Sequence, residues 1–371
     1  MLNAEAVSRA KTRHIEIAKP FDDDLGPLKL LPGIWKNTNA EVPFGWNCIA
    51  LPFVTDPPPA GFNYRLMVNH YRETLQFFTA DKGAPNRGIA RGAGGPSDLD
   101  QFVVALDYQQ LVEQVAVDEF PKSGPDLATD KLADPGAAIH HEPGLFLYMT
   151  NHTTDGINIA RLGTVPHGDS LLAMGRFDAA VDIFDGPPQI PAVNGFPEGV
   201  LVPRDDTAGG ADDLLTPLES PYMAPYKHFH DTPFFGTVPA GTPGFPGFNP
   251  VHPEELLRSA QPDPGKVKRT TRLDMTTSAT EAAGILNIPF IVKHANATSM
   301  NATFWIMELD EPGVDDEPKL LMQYLQVVML DFFPRRDGIP GLIGWPHVSI
   351  NTLEKVANVE QDAEVLTSDE Y

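Results

Sequence analysis

Cysteine is nearly absent: Cys48 is the only one in 371 residues. That excludes an intrachain disulfide framework and paired-cysteine metal sites, and it suits a reducing compartment. Basic residues are also scarce, with 27 Lys and Arg against 50 Asp and Glu, for a formal charge of −23. A field of that sign repels phosphate backbones and anionic lipid, so neither nucleic acid nor a membrane surface is an expected partner. No uncharged apolar run approaches roughly 18 residues, so no transmembrane helix is expected. Met1 to Pro20 mixes charges throughout and holds no apolar signal core, so the expected location is cytoplasmic. The sequons at Asn151, Asn296 and Asn301 then read as chance matches. Also missing are Gly-x-Ser-x-Gly, a phosphate-cradling Gly-Lys loop and His-Glu-x-x-His. The Gly-rich run Arg87 to Gly95 follows no strand-to-helix unit, so it is no dinucleotide fingerprint. Serine hydrolases, kinases and dehydrogenases all recede.

What is abundant is turn chemistry. Thirty-seven Pro and 31 Gly point to many turns and long loops rather than helical bundles. Short alternating segments recur at Phe44–Phe53, Phe62–Ala80, Phe102–Val117, Gly144–Met149, Ile157–Leu162 and Ser170–Phe177. The second half of Phe102–Val117 reads equally as a helix, because pattern alone does not arbitrate. Segments return at Lys268–Thr277, Gly284–Lys293, Ala302–Leu309, Leu320–Phe333 and Trp345–Val356. Between the two sets, Gly186 to Pro264 is rich in Pro and Gly and too long for a simple connection. Its many Phe and Tyr residues argue for packing on the outside of the domain. The expectation is a single mainly β domain over residues 1–371, with lead-in 1–26, insertion 186–264 and acidic tail 357–371. A sandwich and a barrel both accommodate such segments. An interrupted antiparallel meander of roughly ten strands favours the barrel.

The last strand-like segment alternates strictly from Pro346. His347, Ser349 and Asn351 share one face, and Val348, Ile350 and Thr352 the other. Such a strand suits a wall with a polar, ligand-holding side. Near the other end of the chain, Leu31-Pro32-Gly33-Ile34-Trp35 resembles the Gly-x-Trp opening of the calycin superfamily. That superfamily includes lipocalins, fatty-acid-binding proteins and nitrobindin-like heme proteins. Pro346-His347-Val348 is similar to the last strand of the nitrobindin-like barrels, where a histidine near its start ligates heme iron. The basic residue expected after that strand is represented by Lys355. The resemblance implies a calycin-like barrel that binds heme b, with His347 as the axial iron ligand.

That implication has a physical basis, because neutral imidazole on a rigid strand is a standard axial ligand. Ser349 or a backbone carbonyl is then expected to take the other ring N–H. Phe304 and Trp305 are adjacent on one segment, so one of them should close the pocket. Arg269 or Arg272 is expected at the propionates, because guanidinium forks match carboxylates. His294 and His141 are candidate distal residues; His140 and His141 alternate, so at most one of that pair faces an interior. Peroxidase-, isomerase- or dehydratase-like chemistry on a small apolar or hydroperoxide substrate follows from the resemblance. A non-catalytic carrier of an apolar ligand is the alternative. A third reading rests on His228-Phe229-His230, which puts two imidazoles on one face if extended, a metal-ligand spacing. It resembles the His-x-His of cupins, although Asp231, Thr232 and Pro233 follow where a cupin has its Glu.

Overall fold

A computed structural model describes residues 14–37, 45–52, 63–88, 100–122, 137–200 and 218–359. The first thirteen residues of the expected lead-in, most of the Gly-rich run and all but the first three residues of the expected acidic tail lie outside them. The protein is mainly β and antiparallel. The strands are β1 (His14–Ile17), β2 (Gly33–Lys36), β3 (Gly45–Pro52), β4 (Tyr64–Asn86), β5 (Gln101–Phe120), β6 (Ala138–Thr150) and β7 (Ile159–Val165). They continue as β8 (Asp169–Gly175), β9 (Ile183–Asp185), β10 (Val267–Thr276), β11 (Gly284–Asn287), β12 (Asn296–Pro312), β13 (Pro318–Pro334) and β14 (Leu342–Ala357). Four short α-helices occur among the described residues: α1 (Ala179–Asp182), α2 (Ala224–Asp231), α3 (Glu254–Ser259) and α4 (Pro289–His294). Among the described residues no helix is long and apolar enough to cross a membrane.

Ten strands pair in a ring, in the order β8-β7-β6-β5-β4-β2-β14-β13-β12-β10. It closes through Thr276 opposite Met174, where β10 meets β8. Closure of this kind leaves few unpaired strand edges. β3 takes over from β2 further along, pairing with both β4 and β14. The segment Leu111–Val117, open to a helical reading, is strand, because Thr74 to Asn69 of β4 pair with it along its length. Gly284–Lys293 does not stay extended. Pro289 starts a helix after the extended Ile288, since proline presets φ and needs no N–H at a first helical turn.

Alternation sorts each strand into an inward and an outward row. One core fills the lower interior, with Phe77, Leu106, Phe146, Phe304, Ile306, Met322 and Leu353 among its members. A second core lies on the outward face of β3, β13 and β14. There Trp46, Cys48, Val348 and Ile350 pack with Tyr226, Phe229, Phe248 and Leu257 of the Pro/Gly-rich segment. That segment is therefore packed outside the ring along its described residues. Its aromatic residues are the reason, since each buries a large apolar area against the sheet.

Candidate functional site

Successive inward positions of β14 run Leu353, Asn351, Ser349 and His347. They stand level with Met322, Tyr324, Gln326 and Val328 of β13. The row thus climbs from apolar core through a polar layer to a histidine. The polar layer is centred on two buried glutamates. Glu73, on β4, accepts from Tyr324 Oη at 2.6 Å, Asn351 Nδ2 at 2.6 Å and Gln110 Nε2 at 2.7 Å. Burial pushes its carboxyl up; the bonds from Tyr324, Asn351 and Gln110 pull the other way, as does His140. Tyr71 adds a hydroxyl contact to Tyr324 at 2.8 Å.

Glu142, on β6, is paired instead with a buried cation. Arg161 Nη2 donates to its Oε1 at 2.8 Å, and the Tyr108 hydroxyl donates to the same oxygen. Burial alone would raise the Glu142 carboxyl. The Arg161 charge and bonds from His140 and Tyr108 overcome that and bring it to about 2. Arg161 also donates to Gln326 at 2.8 Å and lies over the rings of Tyr108, Phe146 and Phe304. Gly144 and Gly163, partners across β6 and β7, make this possible. A Cβ on Gly144 would collide with the Tyr108 ring, and one on Gly163 with the Glu142 carboxylate. Glycine inside a strand marks such close approach.

Above this layer stand three imidazoles. His347 is half-buried on β14, His140 lies on the inward row of β6, and His167 sits exposed in the turn between β7 and β8. The His140 and His167 rings are 5.9 Å apart. Burial lowers His347 to about 4, with repulsion from His140 and His167 adding to it, so the ring is neutral at ordinary pH. Among the described residues its ring nitrogens take no hydrogen bond. The described residues contain no group of three or more His, Cys, Asp or Glu arranged to hold a bare metal ion.

The other expected residues separate. Phe304 faces inward in the lower core, and Trp305 faces outward against the insertion. Ser349 is inward, level with Gln326 and Asn47. Arg269 does not reach His347: it grips Glu308 at 2.7 and 2.8 Å, and Glu308 is level with Leu320, eight positions along β13 from Val328. At the rise of a strand that is about 26 Å. Arg272, level with the outward Trp305, is held by Asp182 at 2.6 Å and by Asp274. Both guanidinium groups are thus taken by carboxylates away from His347, which corrects the expected propionate role.

His141 faces outward and meets Gln109 at 2.9 Å, so the inward member of its pair is His140. His294 ends α4 with its ring 4.5 Å from that of Phe290 and tilted to it, and the Phe290 ring is largely exposed. The His228 and His230 chelate is overturned. Both lie on α2, where residues two apart point roughly 200° apart. His228 stacks on Phe120, and His230 meets Asn249 at 3.2 Å. Sequence reading passed over Glu73, Tyr324, Glu142, Arg161 and Tyr108. The available signal was charge at inward positions of strands, together with the two strand glycines.

No family model matches the chain, and no curated protein matches it. One solved structure similar to it is that of Rv2717c from M. tuberculosis. The identity is 11% and the TM-score 0.31, over 90% of this chain and 98% of that one. A likeness at that level carries nothing about chemistry.

Proposed function

We propose that this chain is a heme-binding protein on a calycin-type β-barrel, with His347 as the axial ligand. The observation that carries the reading is the His347 imidazole: inward, half-buried, neutral, and without a hydrogen bond among the described residues. A depressed proton affinity leaves its lone pair available to a metal until pH falls to about 4. Strand β14 is paired on both sides, which fixes the ring's direction. A neutral imidazole of this kind suits heme iron, and bound heme would supply a redox-active metal. Propionate partners are not those expected from sequence, since Arg269 and Arg272 are engaged elsewhere.

The calycin reading gains support at the far end of the ring. Trp35 of Gly33-Ile34-Trp35 is buried directly opposite Lys355, the basic residue the resemblance calls for. A non-catalytic carrier of an apolar guest is less well supported. The lower interior is filled by Phe77, Phe146, Phe304, Met322 and Leu353, and its upper boundary is charged. Heme chemistry on a small hydroperoxide or apolar substrate is the activity class that follows. Hemin titration tests the reading. Wild type should develop a Soret band, and His347→Ala should lose it while far-ultraviolet circular dichroism stays unchanged. A band unchanged in the variant rules out His347, and no band in wild type returns the carrier reading.

A further inference from the structure

Among the described residues nine large apolar side chains are exposed, and six of them stand at one end of the ring. Leu286 is 79% exposed, Ile288 48%, Phe290 65% and Val292 55%; Ile339 and Leu342 are the other two. Register places them together. Asn296, just beyond α4, is level with Asp331 of β13, and Asp331 is level with Gly344 of β14. So α4 and the β13–β14 turn project from the same end. α4 is apolar for most of its length and buries none of its residues. Its start is nevertheless anchored. The Ile288 N–H donates to the Gly168 carbonyl at 3.0 Å, and the Ile288 side chain lies where a Cβ on Gly168 would collide with it. Single exposed apolar residues are ordinary, but a cluster of this kind marks an interaction surface.

The same end is poor in negative charge. With 50 acidic residues in 371, a stretch as long as Ala282–Met307 should hold several; it holds none, and neither does Gly338–Leu353. Of the acids nearby, Asp337 is held by Arg335 and Asp331 by Thr298, which leaves Glu198. Lys293 on α4 makes no ion pair among the described residues, and Arg336 in the turn is exposed over the Tyr222 ring.

We propose that this end docks on a phospholipid bilayer, with Leu286, Phe290 and Val292 entering the boundary between headgroups and acyl chains and Lys293 meeting lipid phosphates. The net charge of −23 argues against an anionic surface for the molecule as a whole. It acts weakly here, because charges more than about 8 Å away are screened at physiological salt. Its effect is to turn the acid-poor end toward the membrane and hold the rest of the molecule off. Two separate projections suit a flat, deformable surface better than a partner's groove, which takes one continuous segment. A second copy fits less well. Pairing this face with itself sets two Lys293 and two Arg336 together with little acid between them, in chains that each carry −23. The proposal stands apart from the heme reading of His347.

Co-sedimentation with vesicles of equal parts phosphatidylcholine and phosphatidylglycerol, at physiological salt, is the test. Wild type should bind. The double variant Leu286→Ser and Phe290→Ser should bind about tenfold more weakly with circular dichroism unchanged, since neither side chain supports a core. Lys293→Gln should lose about fivefold on these vesicles and nothing on phosphatidylcholine alone. Val181→Ser removes a comparably exposed apolar side chain on α1 and should match wild type. Trp35, Trp46, Trp305 and Trp345 are all buried, so in Phe290→Trp the introduced indole should supply the emission that vesicles shift to the blue. No binding by wild type, or equal binding by the double variant, overturns the proposal. A dimer in analytical ultracentrifugation that the double variant abolishes, without vesicle binding, gives the face to a second copy instead.

Discussion

Trp35 and Lys355 stand opposite one another across the β2–β14 ladder, and both are buried. The Trp35 indole N–H donates to the Leu31 carbonyl at 2.8 Å, while the Lys355 ammonium has Glu317 at 3.6 Å. This contact ties the start of the ring to its last strand, residues more than three hundred positions apart in sequence.

Lys355 should make the fold more stable at alkaline pH. Burial lowers its ammonium, with Glu317 and Asp315 pushing it back up. Between the folded and unfolded values the unfolded chain binds more protons, so stability rises with pH there. Lys355→Met, which keeps the stem's packing, should flatten that rise in denaturant titrations from neutral to alkaline pH. An identical slope in the variant would show that the ammonium is not desolvated.

Glu73 acts with the opposite sign. Its folded value is raised, so its contribution is complete below the ordinary 4.5 and is lost as pH climbs through the raised value. Glu73→Gln should therefore lose less stability than wild type over that window. Glu73→Ala should be worse at all pH values, by roughly 3 kcal/mol, because Tyr324, Asn351 and Gln110 each lose a buried acceptor. Thermal unfolding across a pH series checks both.

The Glu142–Arg161 pair predicts a non-additive cycle. Arg161→Met leaves a buried carboxylate unpaired and should cost about 3–5 kcal/mol, whereas replacing both partners with apolar residues should cost less. Because Glu142 is lowered to about 2, its contribution is present above the ordinary 4.5 and is lost as pH falls from there to about 2. A loss in the double variant equal to the sum of the two single losses would mean that the charges do not interact.

Phe248 joins the Pro/Gly-rich segment to the outward face of the sheet and is fully buried. Phe248→Ala should cost about 3–5 kcal/mol and shift the whole unfolding transition. Calorimetry showing a separate early transition, with the main one unmoved, would instead make the segment an independent unit.

Much of the wall was legible in the sequence. The alternation from Pro346 onward fixed both faces of β14, because side chains on a strand point to opposite sides at every step. That His347, Ser349 and Asn351 share one face and Val348 and Ile350 the other follows directly. The aromatic content of the Pro/Gly-rich segment likewise announced its packing. Local pattern failed where two states share a composition. Ile288-Pro289-Phe290 reads as apolar strand but turns helical at the proline, and His228-Phe229-His230 chelates only if extended.

By itself, then, the sequence determined the β class and which residues of the long strands share a face, His347 with Ser349 and Asn351 among them. These depend on period-two geometry, which is local. Tertiary structure alone decided which side of each strand is the interior, that His140 rather than His141 enters it, and that Arg269 and Arg272 are bound to Glu308 and Asp182. It also assembled Glu73 with Tyr324 and Glu142 with Arg161, pairs drawn from different strands. Such contacts are set by the register between strands and by the closure of the ring. Neither quantity is written in the neighbourhood of any single residue.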